Sequence, residues 1–280
     1  MAAPELSPLA VEVHRHDRDR FVTTLFAPTE CREALLALYA FNLEVARTRE
    51  SVSEILLGEI RLQWWRDAID KLYRGEDLAH PVVQGLGAAI RTHTLTREPF
   101  DRLIDARTAD LSDGPLESLA GLESYAEGTS ATLVSLALAT LDGRDEAAAR
   151  LSQLAGIGWG LVGLLRAVPF HARERRIYLP ADLLAEYHLT FEDVVARKPS
   201  QGLARIAETI ADRAWHHFAE ARMMQNDLPR RARSALLIVQ LGETYLARLR
   251  AARFDLTDLH WSAVRPPMLK LAFRSLTSGY

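Results

Sequence analysis

Apolar residues recur every three or four positions along most of this chain, which is the spacing of amphipathic helices. Between Leu35 and Val45, for example, the apolar positions include Leu38 and Phe41. No segment shows the strict alternation of a β-strand, so we predict an all-α fold. The predicted helices begin at residues 29, 52, 81, 99, 116, 146, 190, 201 and 229, and near residue 266.

The predicted helix that runs from Glu146 to about Ala167 is rich in glycine. Its glycines lie in the middle of the helix, at positions 156, 158, 160 and 163. Each glycine costs a helix about 1 kcal/mol relative to alanine. Such a cluster indicates that neighbouring backbones approach closely or that the helix lines a pocket. We expect this segment to be the central helix of a bundle.

The composition is that of a folded protein. Of the 280 residues, 48% are hydrophobic and 25% are charged, which is enough apolar surface for a sizeable core. Since no repeat or Gly/Ser-rich linker divides the chain, we expect one domain over residues 1–280, with residues 1–17 flexible. The net charge of -3 argues against a nucleic-acid binder that is held by phosphate contacts.

Nothing in the sequence indicates export or a membrane span. The single cysteine, Cys31, allows no internal disulfide, and residues 1–17 resemble neither a signal peptide nor a transit sequence. A membrane span requires roughly 18–20 uninterrupted apolar residues, and the nearest candidate, Leu151–Phe170, contains Arg166. We expect a cytoplasmic protein.

Three motifs, within Arg32–Phe41, Gln63–Arg66 and Leu164–Pro180, stand out along the chain. The first ends in Tyr-Ala-Phe, the second reads Gln-Trp-Trp-Arg, and the third contains Leu-Leu-Arg followed later by Arg-Ile-Tyr-Leu-Pro. Their order and spacing resemble those of the squalene/phytoene synthase family, which joins two prenyl diphosphates head to head. This resemblance implies a single-domain helical bundle around a central cavity, of the isoprenoid synthase type.

The aspartate-rich motifs of that family are missing. Family enzymes carry DDxxD and DxxxD motifs, whose carboxylates lie one helical turn apart and hold the Mg²⁺ ions that bind the diphosphate leaving group. Here the first motif aligns with Ala46–Glu50, and the second places Ala167 and His171 where carboxylates are expected. Arg47 and Arg49 add positive charge that repels a divalent ion. We therefore expect the usual reaction to be lost.

This pattern of loss resembles one subgroup of the family, complex I assembly factor 6 and its bacterial relatives. The matching segments are Ala40–Ala46, Ser51–Glu54, Tyr125–Glu127 and Leu165–His171. The resemblance implies a non-catalytic assembly or stability factor for respiratory complex I (NADH dehydrogenase), with an isoprenoid or lipid-like ligand as a further option. The implied partner is a complex I subunit or assembly intermediate, contacted peripherally at the inner membrane.

The former diphosphate end of the cavity supplies the candidate site, without a catalytic residue, a metal or a cofactor. One interpretation of its arginines is a metal-free site for an anion, such as a prenyl diphosphate, a phospholipid head group or an acidic loop. The other is structural ion pairing with nearby glutamates, namely Glu44, Glu50, Glu54 and Glu174. The candidates for lining the cavity or binding the anion are Phe21, Arg32, Tyr39, Arg47, Glu50, Arg166, His171, Arg176 and Tyr178.

The alternative function is a head-to-head prenyltransferase with Mg²⁺ as its cofactor, working without the family's aspartates. Glu44, Glu50, Glu54 and His171 are a second set of candidate ligands, for a different metal. Helical spacing lets Glu50 and Glu54 share a face, although two glutamates one turn apart are usually a solvated helix face. Trp64 and Trp65 are adjacent on a predicted helix and cannot point the same way. We expect one to be core and the other half exposed, where a partner or membrane surface can reach it.

Overall fold

The structure, a computed structural model, describes residues 6–52, 54–76, 78–112, 114–262 and 271. Within those residues the chain forms α-helices, short 3₁₀ and π turns and loops, and no β-strand, so the all-α prediction is confirmed. The α-helices of this part are α1 (Pro8–His16), α2 (Arg18–Thr24), α3 (Arg32–Ala46), α4 (Ile55–Tyr73), α5 (Pro81–His93), α6 (Glu98–Ala106), α7 (Leu119–Ala126), α8 (Thr132–Thr140), α9 (Glu146–Arg173), α10 (Ala181–Glu186), α11 (Phe191–Val195), α12 (Gln201–Met224) and α13 (Leu237–Ala251).

Helix α9 is the central helix, as its glycines predicted. It contacts α7, α8, α12 and α13, and most of its residues are buried. A Cβ added at Gly156 would lie 2.1 Å from the Cα of Ala131, and one at Gly158 would lie 2.6 Å from the Phe218 ring. At Gly163, by contrast, an added Cβ would meet nothing within 4 Å. The first two glycines therefore permit close packing, whereas Gly163 faces open space.

A π-helical turn over residues 127–131 separates α7 from α8, where the sequence predicts one continuous helix. The turn packs against α9, and an added Cβ at Gly160 would lie 2.8 Å from Ala126 and 3.2 Å from Ser130. A π turn widens a helix locally and is frequent at functional sites. Here it brings Thr129 and Ser130 to the wall of a cavity between α3 and α9.

Two helix boundaries differ from the sequence prediction. Helix α9 continues through Pro169 to Arg173, whereas the sequence places its end near Ala167. Burial of Val168, Pro169 and Ala172 offsets the backbone hydrogen bond that proline cannot donate. Residues 230–236 form 3₁₀ turns, so the helix predicted from residue 229 begins at Leu237. The helix predicted near residue 266 lies outside the described residues.

Part of the segment over residues 1–17, expected to be flexible, is helical, since it contains α1. Ser7 caps this helix by accepting a hydrogen bond from the Ala10 amide, and Ala10 and Val13 are buried in the core. Helix α1 contacts α3 and α5, so apolar burial holds the segment in place. Residues 1–5 lie outside the described part.

Helix α9 is long and apolar enough to cross a membrane by length and composition. However, 67% of its apolar window is buried inside the protein. The core helix of a soluble bundle passes the same test, so the length and hydropathy of α9 are weak evidence for a span.

The close approach of α9 to the π turn predicts opposite effects for two glycine substitutions. Gly156→Ala places a methyl group against the Ala131 backbone, which cannot move aside as a side chain can. We expect it to destabilise the fold by about 3 kcal/mol or more. Gly163→Ala adds a methyl group where space exists, and the better helix propensity should stabilise the fold by up to about 1 kcal/mol.

Urea unfolding followed by circular dichroism measures both changes. Gly163→Ala is the matched control, because it makes the same chemical change in the same helix. Equal effects of the two substitutions would contradict this account of the packing.

Candidate functional site

A partly open cavity of about 240 Å³ lies between α3, the α7–α8 junction and α9. Its apolar wall comes mainly from α9 and consists of Trp159, Gly160, Gly163, Leu164 and Ala167. Its polar wall consists of Arg20, Asn42, Glu50, Arg107, Asp110, Tyr125, Thr129, Ser130, His171, Arg176 and Tyr178. The sequence analysis expected a central cavity, and its division into an apolar and a polar side comes from the structure.

The polar wall is organised around one buried carboxylate, Asp110, in the 3₁₀ segment that follows α6. Its Oδ1 accepts hydrogen bonds from Tyr125 Oη (2.6 Å) and Tyr178 Oη (2.8 Å). Its Oδ2 accepts from Arg107 Nη1 at 3.2 Å. Arg176 Nη2 donates to the Asp110 carbonyl oxygen (2.7 Å) and to Tyr178 Oη (2.6 Å). We call these five residues the Asp110 cluster.

The Asp110 cluster favours a charged arginine and neutral tyrosines. Burial lowers the pKa of Arg107, but Tyr125 and Asp110 oppose this effect and leave the pKa above its usual value. Burial is the main cause that raises the pKa of Tyr125 and of Tyr178 well above the ordinary tyrosine value. The tyrosines therefore stay protonated and act as hydrogen-bond donors, so the carboxylate has a donor or a cation on each oxygen.

His171 lies at the edge of the same cluster. Its ring centroid is 4.5 Å from that of Tyr178. Burial, together with the positive charge of Arg176, lowers the pKa of His171 to about 4, although Asp110 opposes the shift. The imidazole is therefore neutral near pH 7. Within the described residues its buried Nδ1 has no hydrogen-bond partner.

Four of the residues proposed from the sequence line this cavity. They are Glu50, His171, Arg176 and Tyr178. Glu50 is exposed, whereas Tyr178 belongs to the Asp110 cluster. The structure therefore brings the remnants of both lost motifs to one cavity, as the resemblance implied.

The other proposed arginines point elsewhere. Arg47 pairs with Glu12 (3.3 Å) and Arg166 pairs with Asp19 (2.8 Å). Arg32 Nε donates to the Ala27 carbonyl oxygen. Ion pairing was one of the two interpretations, but the predicted acidic partners of Arg47 and Arg166 were wrong. Their acidic partners, Glu12 and Asp19, lie on α1 and α2. The sequence analysis did not predict that these two helices pack in this region.

The proposed aromatic residues Phe21 and Tyr39 are not among the residues that line the cavity either. Phe21 packs edge-on against His14, with ring centroids 4.8 Å apart. Tyr39 is buried below Arg20, whose guanidinium lies 5.8 Å from the ring centroid, and burial raises its pKa to about 12. Arg20 also pairs with Asp17 at 2.6 Å. These contacts hold α1 and α2 against α3.

Sequence reasoning missed several residues of the polar wall, above all Arg107 and Asp110. Neither belongs to a motif of the resemblance, and both lie in a short 3₁₀ segment without helical periodicity. Tyr125 appears within a matching segment, although its role could not be read from it. Asn42, next in sequence to the Tyr-Ala-Phe motif, accepts from Arg107 Nη2 at 3.4 Å.

The residues at this cavity do not fit a magnesium cluster. Ala46 and Ala167 line it where the family's carboxylates would stand, and His171 is a nitrogen ligand. Mg²⁺ prefers oxygen ligands in near-octahedral geometry. Asp110 is engaged by its own cluster, which leaves Glu50 as the carboxylate at the cavity wall. Within the described residues, no three His, Cys, Asp or Glu side chains gather in a potential metal site.

The Asp110 cluster predicts that removing the negative charge of Asp110 strongly destabilises the fold. Asp110→Asn leaves the buried guanidinium of Arg107 without its counter-ion, so we expect a loss of about 3–5 kcal/mol in stability. Asp105→Asn is the matched control, because Asp105 forms an exposed pair with Arg66 at 2.7 Å, and exposed pairs contribute at most about 1 kcal/mol. Chemical unfolding measures both, and equal losses would show that Asp110 is not the electrostatic centre of the wall.

Burial of neutral His171 predicts that acid destabilises the protein. The unfolded histidine titrates near 6.5 and the folded one at about 4, so the unfolded state binds more protons between these values. Its contribution to stability is full above pH 6.5 and falls as the pH drops towards 4. From pH 7 to pH 5 we expect the wild type to lose about 2 kcal/mol more than His171→Phe. An identical pH dependence in urea unfolding would contradict the assignment.

Comparison with known proteins agrees with this fold and cavity. The sequence profile of the squalene/phytoene synthase family matches residues 13–270. NADH dehydrogenase (ubiquinone) complex I, assembly factor 6, from Rattus norvegicus is 32% identical over 244 residues, which cover 87% of this chain and 73% of that protein. Presqualene diphosphate synthase from Rhodopseudomonas palustris is 29% identical over 223 residues, which cover 79% of this chain and 78% of that protein.

Solved structures show the same architecture. The squalene synthase HpnC from Alicyclobacillus acidocaldarius superposes with a TM-score of 0.78 and 25% sequence identity, covering 88% of this chain and 93% of that one. A dehydrosqualene synthase superposes with a TM-score of 0.82 over 97% of this chain and 96% of that one, and its 16% identity supports the fold alone. The chain therefore belongs to the squalene/phytoene synthase family, and its relatives include the complex I assembly factor 6 proteins.

Proposed function

We propose that this protein is a non-catalytic member of its family that supports the assembly or stability of respiratory complex I. One observation carries the proposal. The helices that face each other across the cavity present Ala46, Ala167 and His171 where the family's reaction needs magnesium-binding carboxylates. Without those oxygens, no metal charge offsets the negative charge that develops as a diphosphate leaves.

The electrostatics and size of the cavity support the same conclusion. Arg107 and Arg176 place positive charge beside Asp110, and this charge opposes a divalent cation. Head-to-head joining needs two prenyl chains side by side. The cavity measures about 240 Å³, whereas a site for even one drug-sized ligand usually measures about 300–1,000 Å³.

The relatives supply the biological role. The rat protein named for complex I assembly is 32% identical over most of this chain, and the human one is 30% identical over the same length. We therefore propose a complex I subunit or assembly intermediate as the partner. The protein would act in the cytoplasm, in peripheral contact with the inner membrane.

The cavity would also hold the polar end of one isoprenoid or lipid-like ligand without metal, since it is too small to enclose the whole molecule. The part of its wall that α9 supplies is apolar except for His171, and the opposite wall is polar. Ser130 Oγ and His171 Nδ1 are buried there and lack a hydrogen-bond partner within the described residues, so a bound molecule would satisfy them. A farnesyl thiolodiphosphate added without Mg²⁺ should raise the melting temperature, and an unchanged melting curve would remove the ligand from the proposal.

A working prenyltransferase is the second candidate, because a presqualene diphosphate synthase is 29% identical over 79% of this chain. It would need to ionise its substrate at a site where Glu50 and the fully engaged Asp110 supply the carboxylates. Each 1.36 kcal/mol of lost transition-state stabilisation slows a reaction about tenfold. The residues at the cavity therefore favour the non-catalytic role.

An assay and a genetic test separate the two candidates. Purified protein with farnesyl or geranylgeranyl diphosphate, Mg²⁺ and NADPH should release no pyrophosphate above a protein-free sample, while an active squalene synthase serves as the positive control. Release by this chain would establish the enzyme instead. A strain that lacks the gene should lose NADH:ubiquinone oxidoreductase activity, and normal activity would remove the assembly role.

A further inference from the structure

The outer face of α4 carries large apolar side chains where a surface helix normally shows polar ones. Leu56 is 61% exposed and Ile60 57%, and Leu57 and Trp64 are also exposed. Leu56, Ile60 and Trp64 follow each other at intervals of four residues, so they form one ridge along the helix. We call Leu56, Leu57, Ile60 and Trp64 the α4 face. A contiguous exposed apolar patch usually marks an interaction site.

The opposite side of α4 packs against the core. Trp65 and Ile69 are buried there, and an added Cβ at Gly58 would lie 2.4 Å from Leu111. Helix α4 therefore cannot rotate to bury its outer face without exposing the larger inner one. The sequence prediction that one tryptophan is core and the other half exposed is confirmed, with Trp65 inside and Trp64 outside.

Contacts within the protein position the Trp64 side chain in the absence of a partner. Its ring packs edge-on against Trp65, with centroids 4.9 Å apart, and lies 5.4 Å from the His80 ring. An aromatic side chain that is already ordered loses little conformational entropy on binding. Tryptophan is also enriched among the residues that dominate binding energy at interfaces. Trp64 has the properties of an anchor at one end of the ridge.

The charges beside the α4 face are acidic. Glu54, Glu59 and Asp67 are exposed at its flanks, and no salt bridge involves them within the described residues. The arginines of the same helix are occupied, since Arg61 pairs with Glu44 (2.6 Å) and Arg66 with Asp105 (2.7 Å). Lys71 lies beyond Asp67, past the end of the ridge. The surface is therefore aliphatic in the middle and negative at the edges.

We propose that the α4 face docks a basic amphipathic helix of a protein partner. The ridge complements the aliphatic stripe of such a helix, and the flanking carboxylates complement its lysines or arginines. An anionic membrane would be repelled by Glu54, Glu59 and Asp67. A second copy of α4 would bring the same acidic flanks together. Charge complementarity therefore selects the basic helix over both of these occupants.

The first test uses a fluorescein-labelled, 18-residue helical peptide made of leucine and lysine, and a matched peptide with glutamate in place of lysine. Fluorescence anisotropy with the full-length protein should show binding of the lysine peptide. Ile60→Lys should weaken it at least about tenfold, because it removes apolar contact and adds a like charge. Glu59→Lys should weaken it and reduce its salt dependence.

Met223→Lys is the matched control, because Met223 is an exposed apolar residue on α12, away from the α4 face. It should change the affinity by no more than about twofold. Equal weakening by Ile60→Lys and Met223→Lys, or equal binding of the glutamate peptide, would overturn the proposal. Circular dichroism and unfolding curves establish that each variant is folded, as expected for substitutions of exposed side chains.

The same variants test the two other occupants, an anionic membrane and a second copy of the protein. Flotation with phosphatidylglycerol vesicles should show no binding that depends on Ile60. Sedimentation velocity should show no self-association that Ile60→Lys abolishes. Either effect, in place of peptide binding, would overturn the choice of a basic helix. None of these assays contains a complex I component, so failure here is distinct from failure of the proposed assembly function.

Discussion

The close approach of α9 to the π turn at residues 127–131 is the constraint on which the cavity depends. Gly156 and Gly160 lack the side chains that would hold these two segments apart, and Ala126 and Ala131 fill the space instead. Because protein interiors are packed to the density of organic crystals, such a contact leaves little freedom for the surrounding residues. Tyr125 and Ser130 on one segment and His171 on the other therefore face a common space.

Within that space the charges are balanced by the protein itself. In the synthase enzymes of this family, opposing carboxylates need metal ions between them. Here Asp110, the one buried carboxylate of the wall, accepts hydrogen bonds from two tyrosine hydroxyls and from Arg107. Arg176 donates a hydrogen bond to its backbone carbonyl oxygen. A buried charge that has its partners and hydrogen bonds is stable without an added ion. The Asp110 cluster thus links the segment that follows α6 to the segment that follows α9.

This division between interior and surface fits a protein that acts by binding. The residues that remain polar inside the cavity are mostly committed to one another, whereas α4 keeps an apolar ridge open to solvent. The same helix carries the Gln-Trp-Trp-Arg motif, so one tryptophan of the motif builds the core while its neighbour remains available outside. A fold that is shared with enzymes can also carry recognition sites, because function resides in sites on a fold and not in the fold itself.

The sequence by itself determined the all-α architecture, the central position of α9, the opposite placements of Trp64 and Trp65 and the absence of the family's aspartates from both motifs. These features follow from periodicity, from glycine spacing or from the identity of residues within a motif. Only the tertiary structure decided which charges meet. Asp110 reaches Tyr178 across 68 positions and Arg166 reaches Asp19 across 147, and helical periodicity carries no information about partners so distant along the chain. The same holds for α1, whose burial depends on surfaces supplied by α3 and α5 and not on its own short sequence.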